Sequence, residues 1–244
     1  MIVLKNKAEL DKLYAANQLV AQTLQLLREK IAPGMTTAEV DALAEKAIRK
    51  AGAEPAFKGY HGFPATVCIS INEEVVHGIP GRRRIKKGDV VSLDVGVVLD
   101  GFYGDAALTV PVGNISSVAR KLLRVTEESL YKGIEKAVPG GRLADISSAV
   151  QEHVEAYGFS VVRDFVGHGI GRNLHEDPQI PNFYSPGAYN PRLKEGMVLA
   201  LEPMVNQGTF KVRVLKDGWT AVTRDSKLSA HYEHTVAITA KGPW

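Results

Sequence analysis

Ile85-Lys86-Lys87-Gly88-Asp89-Val90-Val91-Ser92-Leu93-Asp94 is echoed 108 residues later by Leu193-Lys194-Glu195-Gly196-Met197-Val198-Leu199-Ala200-Leu201-Glu202. Each copy passes from a basic turn through a glycine into a short apolar strand, and each brings a carboxylate to the end of that run. The echo continues upstream. Glu29-Lys30 and Pro33-Gly34 match Glu135-Lys136 and Pro139-Gly140 at an offset of 106, where Ala38-Glu39-Val40 also meets Ala144-Asp145-Ile146 and Gly52 meets Gly158. His61-Gly62 lines up with His168-Gly169 at 107. Loop insertions between two copies of one helix–helix–strand unit produce such a drift. Pro-Gly breaks alone are common between helices, but they do not repeat an acidic residue at one strand position. A two-fold α+β fold sets related positions opposite each other across a central cleft. The expectation is one domain over residues 1–244, with halves of about 1–113 and 114–244 around an antiparallel sheet.

The periodicities fill in the elements. Leu10, Leu13, Val20, Leu24, Leu27 and Ile31 recur at helical steps over residues 8–31, and Pro33-Gly34 stops that helix. Thr36 or Thr37 caps a second helix to about Lys50, with Val40, Leu43, Ala47 and Ile48 inward. Strands are expected at Thr66–Ile71, Asp89–Val95 and Ala106–Val112, with Asp100-Gly101 as a hairpin turn between the last two. The order then restarts. Helices near Val118–Lys136 and up to Tyr157 precede strands at Ser160–Val166, Met197–Glu202, Ala221–Thr223 and Glu233–Thr239.

With 45% hydrophobic and 23% charged residues, the chain can bury a core without a disulfide or metal staple. A net charge of +3 does not call for a nucleic acid or membrane partner. The single cysteine, Cys68, has no partner in the chain and points to a reducing compartment. Lys5, Lys7, Glu9, Asp11 and Lys12 interrupt any signal-like apolar run, and no stretch approaches the ~20 apolar residues that span a bilayer. A cytoplasmic protein is expected.

Asp94 lies in the apolar run Val90–Gly96, where an unpaired carboxylate costs several kcal/mol unless a cation or strong donors meet it. Asp105 follows after the hairpin turn, so adjacent strands can bring the two acids together. Glu202 and Glu233 repeat the problem in Val198–Pro203 and ahead of Thr235–Ile238. A salt bridge or a cap explains any one of them. Four together repel one another unless cations intervene. His168, between Gly167 and Gly169, adds a nitrogen. This hard, oxygen-rich set suits two divalent ions about 3.5 Å apart that acidify a shared water.

Further segments make a resemblance specific. They are Tyr60-His61-Gly62-Phe63-Pro64, Cys68-Ile69-Ser70-Ile71-Asn72-Glu73, His77-Gly78-Ile79-Pro80, Ser92-Leu93-Asp94-Val95-Gly96 and Gly104-Asp105-Ala106. Gly167-His168-Gly169-Ile170-Gly171, Leu174-His175-Glu176-Asp177-Pro178, Leu201-Glu202-Pro203-Met204 and Tyr232-Glu233-His234-Thr235 complete the series. In this order the chain resembles the type I methionine aminopeptidases over nearly its whole length.

The resemblance implies the pita-bread fold and two divalent ions per chain (Co, Mn, Fe or Zn). Asp105 and Glu233 would bridge them, Asp94 would complete one site, and His168 with Glu202 the other. It also implies removal of the initiator methionine from nascent proteins, chiefly before a small second residue, by a water or hydroxide bridging the ions. His175 would face the developing oxyanion and His77 the amide beside the scissile bond. Glu202 would shuttle the proton. Tyr60, Phe63, Cys68, Leu174 and Trp219 would wall an apolar side-chain pocket, with His61 lining the cleft. Many relatives carry a larger aromatic at the position of Leu174, so a slightly roomier pocket or an altered side-chain selectivity is expected here. A monovalent cation near Asn72 and Ser229 is a further implication.

The basic run Arg82-Arg83-Arg84-Ile85-Lys86-Lys87 reads first as a solvated turn, and otherwise as a surface for ribosomal RNA. Nothing demands more than a monomer. Other hydrolase classes fit poorly. No Gly-x-Ser-x-Gly elbow occurs, and Gln179 stands where a zincin's second histidine belongs. The alternatives within the same fold are an Xaa-Pro aminopeptidase-like enzyme and a binding module without catalysis. The first usually carries a large added N-terminal domain. The second typically loses ligands, whereas all five positions here are filled.

Overall fold

A computed structural model describes residues 1–244. Four helices lie against a curled, antiparallel nine-stranded sheet, and two three-stranded sheets flank it. Helix α1, Lys7–Lys30, starts at a capping box: Asn6 Oδ1 accepts from the Glu9 amide, and the Glu9 carboxylate accepts from the Asn6 amide. Thr36 and Glu39 repeat the device at α2, Thr37–Lys50. Helix α3 spans Ser117–Lys136 under the Ser116 cap, and α4 spans Leu143–Ala156.

The inward stripe of α1, including Ala16, Val20, Leu24 and Leu27, packs on Val91, Leu93, Val95 and Val97 of the strand Val90–Leu99. These are the odd-numbered residues of that strand. Strand alternation therefore sends Ser92 and Asp94 to the face away from the helix. Helix α1 comes so close to the next strand, Phe102–Pro111, that a Cβ on Gly104 would lie 2.7 Å from the Ala16 carbonyl carbon. At this contact Asn17 Oδ1 accepts from the Asp105 amide at 3.1 Å. The helix thus holds the backbone of an expected ligand. Helices α3 and α4 contribute Leu122, Val125, Val150 and Val154 to a second cluster, and Leu130 and Ile146 to another that includes Leu199, Leu201 and Val236 of the sheet.

Most expected elements are present with small shifts in their ends. The hairpin turn is a tight one: Leu99 pairs with Phe102, and Asp100 and Gly101 take positive φ of 50° and 76°. The run Ser160–Val166 is a correction. Only Ser160–Val161 is a strand, paired with Val205 and Asn206, and the chain bends at Arg163 and Asp164 before the strand Gly167–Gly169. That bend turns Phe165 toward the cleft. No helix is long and apolar enough to cross a membrane.

Candidate metal centre

Strand register assembles the five expected ligands. Asp94 pairs with Ala107, and Ala107 pairs on its other side with Glu233. Residues paired in an antiparallel ladder share a face, so both acids flank the small Ala107 side chain. Asp105 is two residues from Ala107 and projects from that same face. Farther across the sheet His168 pairs with Ala200, which pairs with Thr235. Glu202 follows directly on the strand Val198–Leu201, two residues beyond Ala200.

The ligand atoms of Asp105, His168 and Glu233 all lie within 4.8 Å of one another. His168 Nε2 is 3.6 Å from Glu202 Oε1 and 3.9 Å from Asp105 Oδ2. The other ring nitrogen, Nδ1, lies 2.9 Å from the Gly169 carbonyl. That carbonyl can only accept, so the proton belongs on Nδ1 and the Nε2 lone pair faces the acids, the tautomer a metal requires. Burial, aided by His175, lowers the His168 pKa to about 4 and keeps the ring neutral.

Three carboxylate oxygens, Asp94 Oδ1, Asp105 Oδ1 and Glu233 Oε1, are buried without a hydrogen-bond partner. Burial raises the Asp94 pKa to about 7. Asp105 is pushed well up by burial, then by Glu233 and Asp94. Burial first and neighbouring carboxylates second do the same to Glu202 and Glu233. Four acids and one neutral imidazole with orphaned oxygens fit divalent cations, which would satisfy the oxygens and cancel the repulsion.

The centre is the floor of a cleft of ≈ 380 Å³ whose lining includes all thirteen residues singled out from the sequence for catalysis, metal or substrate. His175 Nδ1 meets the Tyr60 hydroxyl at 2.7 Å, and its ring lies edge-on to His168 with centroids 4.3 Å apart. His77 has a positive φ of 60° and stands edge-on to Phe165, with ring centroids 5.3 Å apart. Burial, with His175, lowers the His77 pKa to about 4. Phe63 and Trp219 meet edge to face at 5.2 Å, while Leu174 and Cys68 are buried beside them. Burial first, and the carboxylates second, push the Cys68 thiol up, so it is no ready nucleophile. His61 is largely exposed at the rim.

The cleft is also lined by Phe57, Val76, Asp164, Phe165 and Val166, which the sequence reading did not include. It missed His231 too. That ring is 2% exposed, and its Nε2 has no hydrogen-bond partner and lies 3.9 Å from Glu233 Oε2. Its place two residues before Glu233, hence on the same face, was a usable signal.

Asn72 and Ser229 are brought together by a 2.8 Å bond from the Ser229 amide to the Asn72 carbonyl. Their side chains are engaged elsewhere, with Asp89 and Asn206. In the basic run, Arg83 pairs with Glu74 and Arg84 donates to the Gly34 carbonyl, while Arg82, Lys86 and Lys87 are exposed.

The model of metallopeptidase family M24 matches residues 11–240. The chain belongs to that family. Among its M24 relatives is a protein of Clostridium perfringens named methionine aminopeptidase, 60% identical over 243 residues, with 100% of this chain and 97% of the relative covered. Methionine aminopeptidase 1 of Bacillus subtilis is 56% identical, with coverage of 99% and 97%. The crystal structure of methionine aminopeptidase from Rickettsia prowazekii superposes with a TM-score of 0.97 at 42% identity, covering 100% of this chain and 98% of that one. The M24 chain is therefore an α+β pita-bread enzyme, a metallopeptidase that uses divalent metal.

Proposed function

We propose that this M24 metallopeptidase is a type I methionine aminopeptidase, removing the initiator methionine from new proteins when the second residue is small. Five candidate ligands gathered on the cleft side of the sheet, three of them with buried orphan oxygens, support the reading most directly, together with a 60%-identical relative of that name. Asp105 and Glu233 would each contact two ions, Asp94 one of them, and His168 with Glu202 the other. Two divalent ions held there, whether Mn, Fe, Co or Zn, would polarise the scissile carbonyl and acidify a water between them.

The side chains supply the rest. The Tyr60 hydroxyl lies 2.7 Å from His175 Nδ1; with Tyr60 as the donor, the His175 proton would sit on Nε2 and meet the oxygen of the scissile carbonyl. Burial keeps His175 neutral, so it serves as a hydrogen-bond donor rather than as a fixed charge. His77 orients the amide beside the scissile bond. Glu202, at the edge of the cluster, takes a proton from water and delivers it to the leaving amine. Phe63, Cys68, Leu174 and Trp219 hold the thioether side chain and exclude water around it. The free α-amino group of the substrate would bind near the ion held by Asp94, so the enzyme would count from the N-terminus. The exposed Arg82, Lys86 and Lys87 form the surface that would meet ribosomal RNA near emerging chains.

A panel of Met-Ala-Ser, Leu-Ala-Ser, Met-Leu-Ser and Pro-Ala-Ser tests the specificity on the metal-loaded protein. Methionine release from Met-Ala-Ser, at least about tenfold above the others, is expected from pocket fit alone. Equal cleavage of Leu-Ala-Ser, or preference for Met-Leu-Ser, would overturn it.

A further inference from the structure

The segment ahead of α1 reaches across the molecule to the loop that carries Leu174 and His175. The Lys5 side chain is 3% exposed and pairs at 2.5 Å with Glu176 Oε2, whose side chain is 9% exposed. Lys5 Nζ also donates to the Val3 carbonyl at 3.2 Å, and the Lys5 amide donates to the Gly196 carbonyl at 2.7 Å. The lysine is therefore held at both its backbone and its tip. The second Glu176 oxygen, Oε1, accepts from the Arg172 amide at 2.9 Å and the Asn173 amide at 3.2 Å. One carboxylate thus ties the N-terminal segment to the start of the turn that presents Leu174 and His175. Packing there is close: a Cβ on Gly171 would lie 2.6 Å from Glu176 Oε1 and 2.8 Å from Lys5 Nζ.

A buried ion pair adds little net stability, because desolvating two charges consumes most of their attraction. What it fixes is geometry. We propose that Lys5 is a positioning residue for catalysis: through Glu176 it clamps the Arg172–Glu176 turn and so sets His175 against Tyr60. The inference rests on the role given to His175 above. A positioning loss far from the reacting atoms is felt in turnover, since small displacements of a catalytic group are costly.

The test is Met-Ala-Ser hydrolysis by the Mn²⁺-loaded protein, with Mn²⁺ affinity measured calorimetrically on each variant. Lys5→Met is expected to lower kcat by about tenfold to a hundredfold, with KM and Mn²⁺ affinity changed less than about threefold. Lys5→Met strands the Glu176 charge, so Lys5→Met/Glu176→Gln is measured beside it. That pair keeps an oxygen acceptor for both turn amides and provides the reading if the single variant does not fold. In a His175→Ala background the same changes are expected to lower kcat no further. Wild-type kcat in the folded Lys5→Met/Glu176→Gln protein, or a loss that persists without His175, overturns the clamp and leaves His175 in place. Wild-type kcat in His175→Ala alone overturns both.

Discussion

Ala107 matters to the centre by being small. It is paired with Asp94 on one side and Glu233 on the other, and its methyl group leaves the space between two acids open. The acids themselves are held in an unfavourable state without cations. Asp105→Asn removes one of four mutually repelling carboxyls, so the metal-free protein is expected to be more stable by about 1 kcal/mol or more. The same change should abolish tight Mn²⁺ binding. Calorimetric unfolding in chelator and Mn²⁺ titration check the two halves, and a metal-free variant less stable than wild type would contradict the repulsion. The raised pKa values give a pH dependence of definite sign. In the metal-free state the cluster keeps protons that unfolded carboxyls lose near pH 4. For Asp94 the contribution to stability is complete below about pH 4 and is lost as pH rises through about 7; the other three acids, pushed up in the same direction, act with the same sign. Metal entry must expel those protons, so Mn²⁺ binding at about pH 6 should release protons, and release fewer as pH rises. Equal binding heats at that pH in buffers of different ionisation enthalpy would contradict it. These acids were legible in the sequence because a carboxylate in an apolar strand is conspicuous. Ala107 was not, since its meaning lies in the register of three strands, whereas His231 could have been read from its spacing to Glu233.

Helix ends and the hairpin were the most legible elements, because their chemistry is local. Pro33-Gly34, the Thr36 or Thr37 cap, and Asp100-Gly101 each carry their own stop, cap or turn. The three-residue strands Glu74–Val76, Met204–Asn206 and Ser229–His231 were invisible, being too short for a period of two to register. The overreach at Ser160–Val166 has the opposite cause. Its apolar residues are shared between a strand and a cleft wall, and composition does not separate those uses. At this scale the closest coupling of fold to centre is α1 against Gly104. Gly104→Ala would drive a Cβ into the α1 backbone at Ala16 and Asn17. It is expected to cost about 1–3 kcal/mol, as overpacking does, and to weaken Mn²⁺ binding through the displaced Asp105. Chemical denaturation and metal titration measure both, and wild-type values for each would show that the helix contact does not hold the ligand.

The whole molecule uses two helix-pair units to bring strand ends to one cleft. Helices α1 and α2 precede the strands bearing Asp94 and Asp105, and α3 and α4 precede those bearing His168 and Glu233 and the strand end that Glu202 follows. We read these units as the repeat visible in the sequence, meeting between the strand that ends at Pro111 and the start of α3 at Ser117. The centre would then draw ligands from both halves, and cations would stabilise the assembly as a unit. Saturation at a hundredfold excess over Kd is worth about 2.7 kcal/mol per site. The most direct test of a metal-dependent aminopeptidase is free methionine released from Met-Ala-Ser by metal-free protein as Mn²⁺ is added. Turnover that is absent in chelator, rises with Mn²⁺ and disappears in Asp105→Ala is the expected result. Methionine release that survives exhaustive metal removal, or that Asp105→Ala retains, would contradict the account.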